Sequence, residues 1–140
     1  MNTILLVEDN ASNASLLEDV FSYDDIPAQL AYVASGEEAL RLAVLLRPAL
    51  ILMDLRLPGI DGLETTEILK RNPLTKDIPV WAITAYAMQG DEERARAAGC
   101  DEYFAKPLSM RTLGDRLKHF LQELEKTESR EYASTKSTDR

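Results

Sequence analysis

The stretch that most constrains this chain is Leu50-Ile51-Leu52-Met53-Asp54, four consecutive apolar residues that stop on a carboxylate. A Pro58-Gly59 turn follows closely. An apolar run without alternation, bounded by turn residues, fits a strand buried on both faces, as in a parallel sheet. Such sheets present their working groups at the carboxyl ends of the strands, where the loops form a crevice. Asp54 is therefore expected at that edge, held on one side by a rigid strand and open on the other to solvent.

The rest of the chain alternates in the way that architecture requires. Ile4-Leu5-Leu6-Val7 is a second continuous apolar run and ends on Glu8 and Asp9. Residues 10–22 read as a helix with Leu16, Leu17, Val20 and Phe21 on one face. A weaker strand is predicted over 28–33. Ser35-Gly36-Glu37-Glu38 has the pattern of a capping box and opens a helix carrying Ala39, Leu40, Ala43 and Val44 on one stripe. After Asp54, the Asp61/Glu64 pair starts a helix over about residues 63–71, and Asn72-Pro73 stops it. Pro79-Val80-Trp81-Ala82-Ile83-Thr84 reads as a fourth strand with Thr84 at its carboxyl end. Asp91, Glu92 and Glu93 precede Arg94 and Arg96 in the next helix, a charge order that complements the helix dipole, and Gly99 supplies its left-handed end. Residues 101–105 form a short fifth strand ending at Lys106-Pro107. Ser109 caps a last helix whose Leu113, Leu117, Phe120, Leu121 and Leu124 make the clearest amphipathic stripe in the chain. Five strand–helix alternations imply an α/β fold, a doubly wound five-stranded parallel sheet with helices on both faces. Residues 1–125 are expected to form the domain. Residues 126–140, with almost no apolar content, read as a polar, disordered tail.

Composition narrows the function classes. A length of 140 residues favours one domain with a full core. The net charge of −8, with no compensating basic run, disfavours nucleic acid and anionic membrane surfaces as partners. The apolar segments are too short for a membrane span or a signal peptide, which leads us to expect a soluble cytoplasmic protein. The single cysteine, Cys100, reads as a small core side chain behind Gly99. His119, on the last helix, reads as a surface polar residue.

Four strand ends carry a specific set of groups: Glu8 and Asp9, Asp54, Thr84 and Lys106. In a parallel sheet these ends share one edge, so residues distant in sequence converge. Three neighbouring carboxylates repel one another strongly, and are stable together only if some stay protonated or a cation is shared. A hard divalent ion with oxygen ligands fits, and Mg2+ in particular uses one or two carboxylates plus substrate phosphate. Asp9 and Asp54 are candidate direct ligands, and Glu8 a ligand through water. Phosphoryl transfer demands alignment and charge neutralisation more than basicity, so a carboxylate can serve as the nucleophile. Lys106 brings a compact ammonium and Thr84 a hydroxyl to two phosphoryl oxygens. Ala85 is small enough to let backbone amides approach. Taken singly, each residue has a commoner reading as a cap, turn or surface group; their joint placement at four strand ends makes Asp54 the candidate phosphoryl acceptor.

These residues also carry a family resemblance. Ile4-Leu5-Leu6-Val7-Glu8-Asp9-Asn10, Leu52-Met53-Asp54-Leu55-Arg56-Leu57-Pro58-Gly59-Ile60-Asp61-Gly62, Ile83-Thr84-Ala85 and Tyr103-Phe104-Ala105-Lys106-Pro107 resemble the receiver domain of two-component response regulators, in particular the single-domain regulators of chemotaxis and cell division. The resemblance spans residues 3–124 and implies the (βα)5 flavodoxin-like receiver fold. It also implies phosphorylation of Asp54 by a histidine kinase or a histidine phosphotransfer protein with Mg2+, with the backbone carbonyl of Arg56 as a further metal ligand. The domain would catalyse its own phosphoryl transfer and slow autodephosphorylation, without being a conventional enzyme. By the same resemblance the Lys106-Pro107 peptide is expected to be cis, and Thr84 and Tyr103 to form the switch. Arg56 and Tyr86 would flank the entrance and tune the lifetime of the phosphoryl group, so that Arg56→Ala and Tyr86→Ala would lose phosphate faster. With only a polar tail after the last helix, the output is expected to be a downstream protein target, read on the face carrying Tyr103, with residues 10–17 facing the kinase. A phosphorylation-dependent homodimer is compatible with this pattern.

Three other readings fit less well. A phosphatase of the haloacid dehalogenase type needs a second Asp at position 56, which is Arg. A nucleotide- or flavin-binding protein needs a glycine-rich loop where the chain has Glu8-Asp9-Asn10-Ala11. A phosphate-independent interaction module would tolerate a decayed site, and none of the five site residues is substituted. The sequence leaves open whether the domain is an output switch or a phosphate sink.

Overall fold

The computed structural model describes residues 1–85, 88–106 and 109–138. Strands and helices alternate strictly: β1 (Asn2–Val7), α1 (Ala11–Tyr23), β2 (Ala28–Val33), α2 (Gly36–Leu46), β3 (Leu50–Asp54), α3 (Gly62–Arg71), β4 (Val80–Thr84), α4 (Asp91–Ala98), β5 (Glu102–Ala105) and α5 (Met110–Thr138). The five strands form one parallel sheet in the order β2-β1-β3-β4-β5. The winding reverses between β1 and β3, and at such a switch point the two loops part and leave a crevice beyond the strand ends.

Register decides what lines that crevice. Val7 lies opposite Met53, so the next residue on each strand, Glu8 and Asp54, meet at the edge. The apolar runs alternate in space although not in character. Leu5, Val7, Ile51, Met53, Val80 and Ala82 join Ala39 and Ala43 of α2, Leu69 of α3 and Ala95 of α4 in one core. Ile4, Leu6, Leu50, Leu52, Trp81 and Ile83 join Ala14 and Leu17 of α1 and Leu113, Leu117 and Leu121 of α5 in the other. Every residue of β3 and β4 is buried, which explains why neither shows polar alternation.

Local signals set the helix boundaries. Asn10 Oδ1 accepts from the Ser12 and Asn13 amides at 2.9 and 3.1 Å. Ser35 Oγ accepts from the Glu38 amide at 3.2 Å, Asp61 Oδ1 from the Glu64 amide at 2.8 Å, and Ser109 Oγ from the Thr112 amide at 3.3 Å. These caps satisfy amides that have no partner inside the helix. Gly99 ends α4 at φ +114°, a conformation that favours glycine. Cys100 is buried with its Sγ 3.8 Å from Thr66 Oγ1.

One expectation meets a different outcome. Leu16 does not share the buried stripe of Leu17 and Val20; it is 50% exposed, because α1 turns it toward a groove instead of the sheet. The span of α5 runs on over residues 126–138, a segment without Gly or Pro. The Lys126 ammonium pairs with Glu123 at 3.2 Å and Thr127 Oγ1 donates to the Glu123 carbonyl at 3.0 Å, while residues 125–131 stay exposed.

Gly62 is the tightest joint near the crevice. A Cβ there would lie 2.3 Å from the Asp54 carbonyl oxygen and 2.6 Å from Leu55 Cα, backbone atoms that cannot swing aside. The Gly62 amide also donates to the Leu55 carbonyl at 3.2 Å. Gly62→Ala is expected to destabilise the domain by about 2–4 kcal/mol and lower Tm by roughly 5–15 °C in thermal unfolding; an unchanged Tm would show that α3 can move off the strand end without cost.

Candidate functional site

The acids converge as the register requires. Ligand atoms of Glu8, Asp9 and Asp54 all lie within 4.8 Å of one another. Their surroundings differ sharply: Glu8 is 3% and Asp54 8% exposed, whereas Asp9 is open to solvent. Asp54 Oδ1 accepts from the Arg56 amide at 2.9 Å, which fixes the plane of the carboxylate. Burial, then the hydrogen bond with Glu8 and its negative charge, push the Asp54 carboxyl up from 3.8 to about 7, against the pull of the Arg56 amide and the Lys106 ammonium. The Asp54 carboxyl therefore holds its proton well above the ordinary carboxylate range.

Glu8 has partners of its own. Asn13 Nδ2 donates to Glu8 Oε1 at 2.6 Å, and the Lys106 ammonium stands 3.6 Å from the same oxygen. The sequence pointed to Lys106 as a group for the phosphoryl oxygens; in this structure Glu8 holds it. Asn13 went unnoticed in the sequence. The only signal was an amide side chain one turn beyond the Asn10 cap, on the helix that starts where the acids end. Thr84 sits at the end of β4, fully buried, and its Oγ1 is the one buried side-chain oxygen or nitrogen without a hydrogen-bond partner among the described residues. The Lys106 amide donates to the Thr84 carbonyl at 2.7 Å, which ties the ends of β4 and β5 together. Ala85 is exposed beside it.

The Arg56 side chain leaves the acids and reaches across the edge to α4. Its Nη2 lies 3.2 Å from Asp91 Oδ2. Asp91 is 5% exposed and also accepts from the Met88 amide at 2.8 Å and from Arg94. The Met88 amide first, then Arg94 and Arg56, hold the Asp91 carboxyl below the usual carboxylate range. Tyr103 packs on the core face shared with α4. Burial raises its phenol pKa, and the charges of Asp91, Glu92, Arg56 and Arg94 all act on it. Tyr86 and the Lys106-Pro107 peptide lie outside the described residues. On the opposite side of the crevice, a groove of about 340 Å³ runs between α1 and α5, lined by Leu6, Leu16, Leu52, Ile83 and Met110 with Asp54 and Lys106 at its end.

A sheet of this order, with acids at its switch point and a lysine at the end of β5, is the architecture of a phosphoryl-receiving signalling domain. The response regulator receiver domain model matches residues 4–118, and the chain belongs to that family. It is 43% identical over 122 residues to the polar-differentiation response regulator DivK of Brucella anthropi, covering 85% of this chain and 95% of DivK. Among solved structures, a response regulator from Chloroflexus aurantiacus superposes with TM-score 0.78 at 33% identity, covering 86% of this chain and 98% of that one. The receiver domain of a sensor histidine kinase from Pseudomonas aeruginosa PAO1 superposes with TM-score 0.76 at 36% identity, covering 86% and 98%. That structure has a magnesium ion coordinated in its active-site cleft.

Crowding at this edge has a measurable consequence. The folded protein keeps the Asp54 proton up to about pH 7, whereas the unfolded chain releases it near the ordinary 3.8. The folded state therefore binds more protons in that window, and stability from this group is lost as pH rises through it. In metal-free buffer Asp54→Asn is expected to raise stability at pH 8 by about 1–2 kcal/mol, with the gain shrinking toward pH 4. Denaturant unfolding of both proteins across that range checks it; equal stability at pH 8 would show that the acids do not strain the fold.

Proposed function

We propose that this protein is a phosphoryl-accepting regulator: Asp54 takes a phosphoryl group from a histidine kinase or a histidine phosphotransfer protein, and the modified domain signals to a downstream protein. The observation that carries this reading is the convergence of Glu8, Asp9 and Asp54 within 4.8 Å, with Lys106 at the same edge.

The donor set suits a hard divalent cation. Three oxygen ligands of one sign lie together, with the Asn13 amide and the Lys106 ammonium beside them and the Asp54 carboxyl pushed toward its protonated form. Mg2+ would be held by Asp9 and Asp54, by Glu8 through water and by the Arg56 backbone carbonyl; when bound it neutralises the phosphoryl oxygens. In the transfer, an Asp54 oxygen attacks phosphorus and forms the new P–O bond. The P–N bond of the donor phosphohistidine breaks, and its electron pair leaves with the imidazole, which takes a proton from solvent. The Arg56 amide holds the nucleophile in place. Lys106, 3.6 Å from Glu8, is within a small side-chain rotation of an incoming phosphate. The buried Thr84 hydroxyl, without a partner of its own, gains one when a phosphoryl oxygen arrives.

The groove between α1 and α5 suits the donor. It is apolar, ends at Asp54, and exposes Leu16 and Met110, so an amphipathic helix could lie there with its phosphohistidine at the acids. The face around Tyr103 serves the target. No helix among the described residues is long and apolar enough to cross a membrane, which agrees with action in the cytoplasm.

Incubation with acetyl phosphate and Mg2+ is expected to add one phosphoryl group by intact mass, and Asp54→Asn or a chelator to abolish it. Addition to the Asn variant would move the acceptor elsewhere. Separately, Mg2+ about a hundredfold above its Kd is expected to stabilise the domain by about 2.7 kcal/mol and raise Tm by several degrees. No Tm shift at any Mg2+ concentration would remove the cation from the site.

A further inference from the structure

The connection between Arg56 and Asp91 crosses the mouth of the site. Arg56 belongs to the loop that leaves the nucleophile, and its amide already contacts Asp54 Oδ1 at 2.9 Å. Its guanidinium, 45% exposed, lies 3.2 Å from a carboxylate that is nearly buried at the first turn of α4. Asp91 is well placed to keep its charge: the Met88 amide and Arg94 both donate to it, and it sits at the positive end of the helix dipole. The residue before it, Gly90, offers no side-chain cap, and the Asp91 carboxylate ties the first turn of the helix back to the Met88 amide of the preceding loop.

From this geometry we infer that Asp91 competes with the phosphoryl group for the Arg56 guanidinium, and thereby sets how long Asp54 stays phosphorylated. The inference rests on Asp54 being the acceptor. Before transfer the Arg56 guanidinium pairs with Asp91. After transfer a second anion, of greater charge and with three acceptor oxygens, stands two residues away on the same loop. A guanidinium engages such an anion with two parallel donors, and in doing so covers the phosphorus from attacking water. Whatever holds Arg56 on α4 exposes the phosphoryl group. Asp91 is thus a positioning residue that acts through Arg56, and the exchange also loosens the start of α4 once Arg56 has moved.

The test follows the lifetime of the phosphorylated form by intact mass after acetyl phosphate is removed at saturating Mg2+. Arg56→Ala is expected to shorten it and Asp91→Asn to lengthen it, each by about two- to fivefold, the scale of a partly exposed ion pair. Asn keeps an acceptor for the Met88 amide while removing the charge that holds the guanidinium. The double variant Arg56→Ala/Asp91→Asn is expected to decay like Arg56→Ala alone, since Asp91 has no route to the phosphate except Arg56. A purely structural role for Asp91 would not give opposite signs. An Asp91→Asn lifetime equal to or shorter than that of the parent overturns the inference, as does an equal effect of Asp91→Asn with and without Arg56. Should the Asn variant fold poorly, Asp91→Ser, another residue suited to capping, is held to the same outcomes. If the parent chain never gains the phosphoryl group, the assignment of Asp54 falls and this inference falls with it; a phosphorylated parent with an indifferent Asp91 variant removes this inference alone.

Discussion

The repulsion between Glu8 and Asp54 is the constraint around which the active edge is built. Neither carboxylate is free to move away. Val7 opposite Met53 locks the two strand ends side by side, and every residue of β3 is buried. A mobile loop would relieve such crowding by parting its side chains; a fully buried parallel strand cannot. The charge must be answered by chemistry instead. In this structure it is answered by the raised pKa of Asp54, by the Asn13 amide and by the Lys106 ammonium. The proposed Mg2+ would answer it more effectively, because an acidic oxygen cluster suits a hard divalent ion.

The loop after Asp54 is braced with comparable firmness. Gly62 brings the start of α3 against the backbone at the strand end, and Asp61 caps that helix. The Glu37 carboxylate of α2 accepts from the Ile60 amide at 3.3 Å. Three separate contacts therefore hold one short turn, and its Arg56 amide is delivered to Asp54 Oδ1 at 2.9 Å. Pre-set donors suit a transfer whose demand is alignment. The glycine and acid of the Pro-Gly-Ile-Asp-Gly run have packing and capping duties, with no part in bond making.

How much of this was legible in the sequence depends on the range of the interaction. Strand runs, caps and the convergence at the carboxyl edge follow from local pattern and parallel topology, so the placement of Glu8, Asp9, Asp54, Thr84 and Lys106 could be reasoned forward from residue types. The Asn13–Glu8 hydrogen bond could not, because its meaning depends on the rotation of α1 about its axis; the same rotation sends Leu16 to the groove. Asp91 read as one of three acids at a helix start. Only the fold shows that it is nearly buried and lies against a residue 35 positions earlier. At the polar end of the chain, low apolar content matches the exposure of residues 125–131, and a helix that extends one already nucleated by α5 needs no packing of its own.

Seen from its charges, this edge sets cations on two nearly buried acids: Lys106 on Glu8, and Arg56 with Arg94 on Asp91. Each acid has a second donor, Asn13 for Glu8 and the Met88 amide for Asp91, so neither is left bare when its cation departs. That redundancy matters energetically. Removing the partner of a buried charge ordinarily costs several kcal/mol, enough to forbid a switch that works by exchange. With a neutral hydrogen bond retained at each acid the cost is smaller, and a phosphoryl group on Asp54 can draw both cations without breaking the fold. The two exchanges reach different parts of the molecule. Lys106 leads to the end of β5, and Arg56 to the first turn of α4, beside Tyr103. If Asp54 takes the phosphoryl group as proposed, the added anion would act on two elements that the sheet itself holds apart, and the surface between them would carry its arrival to a partner.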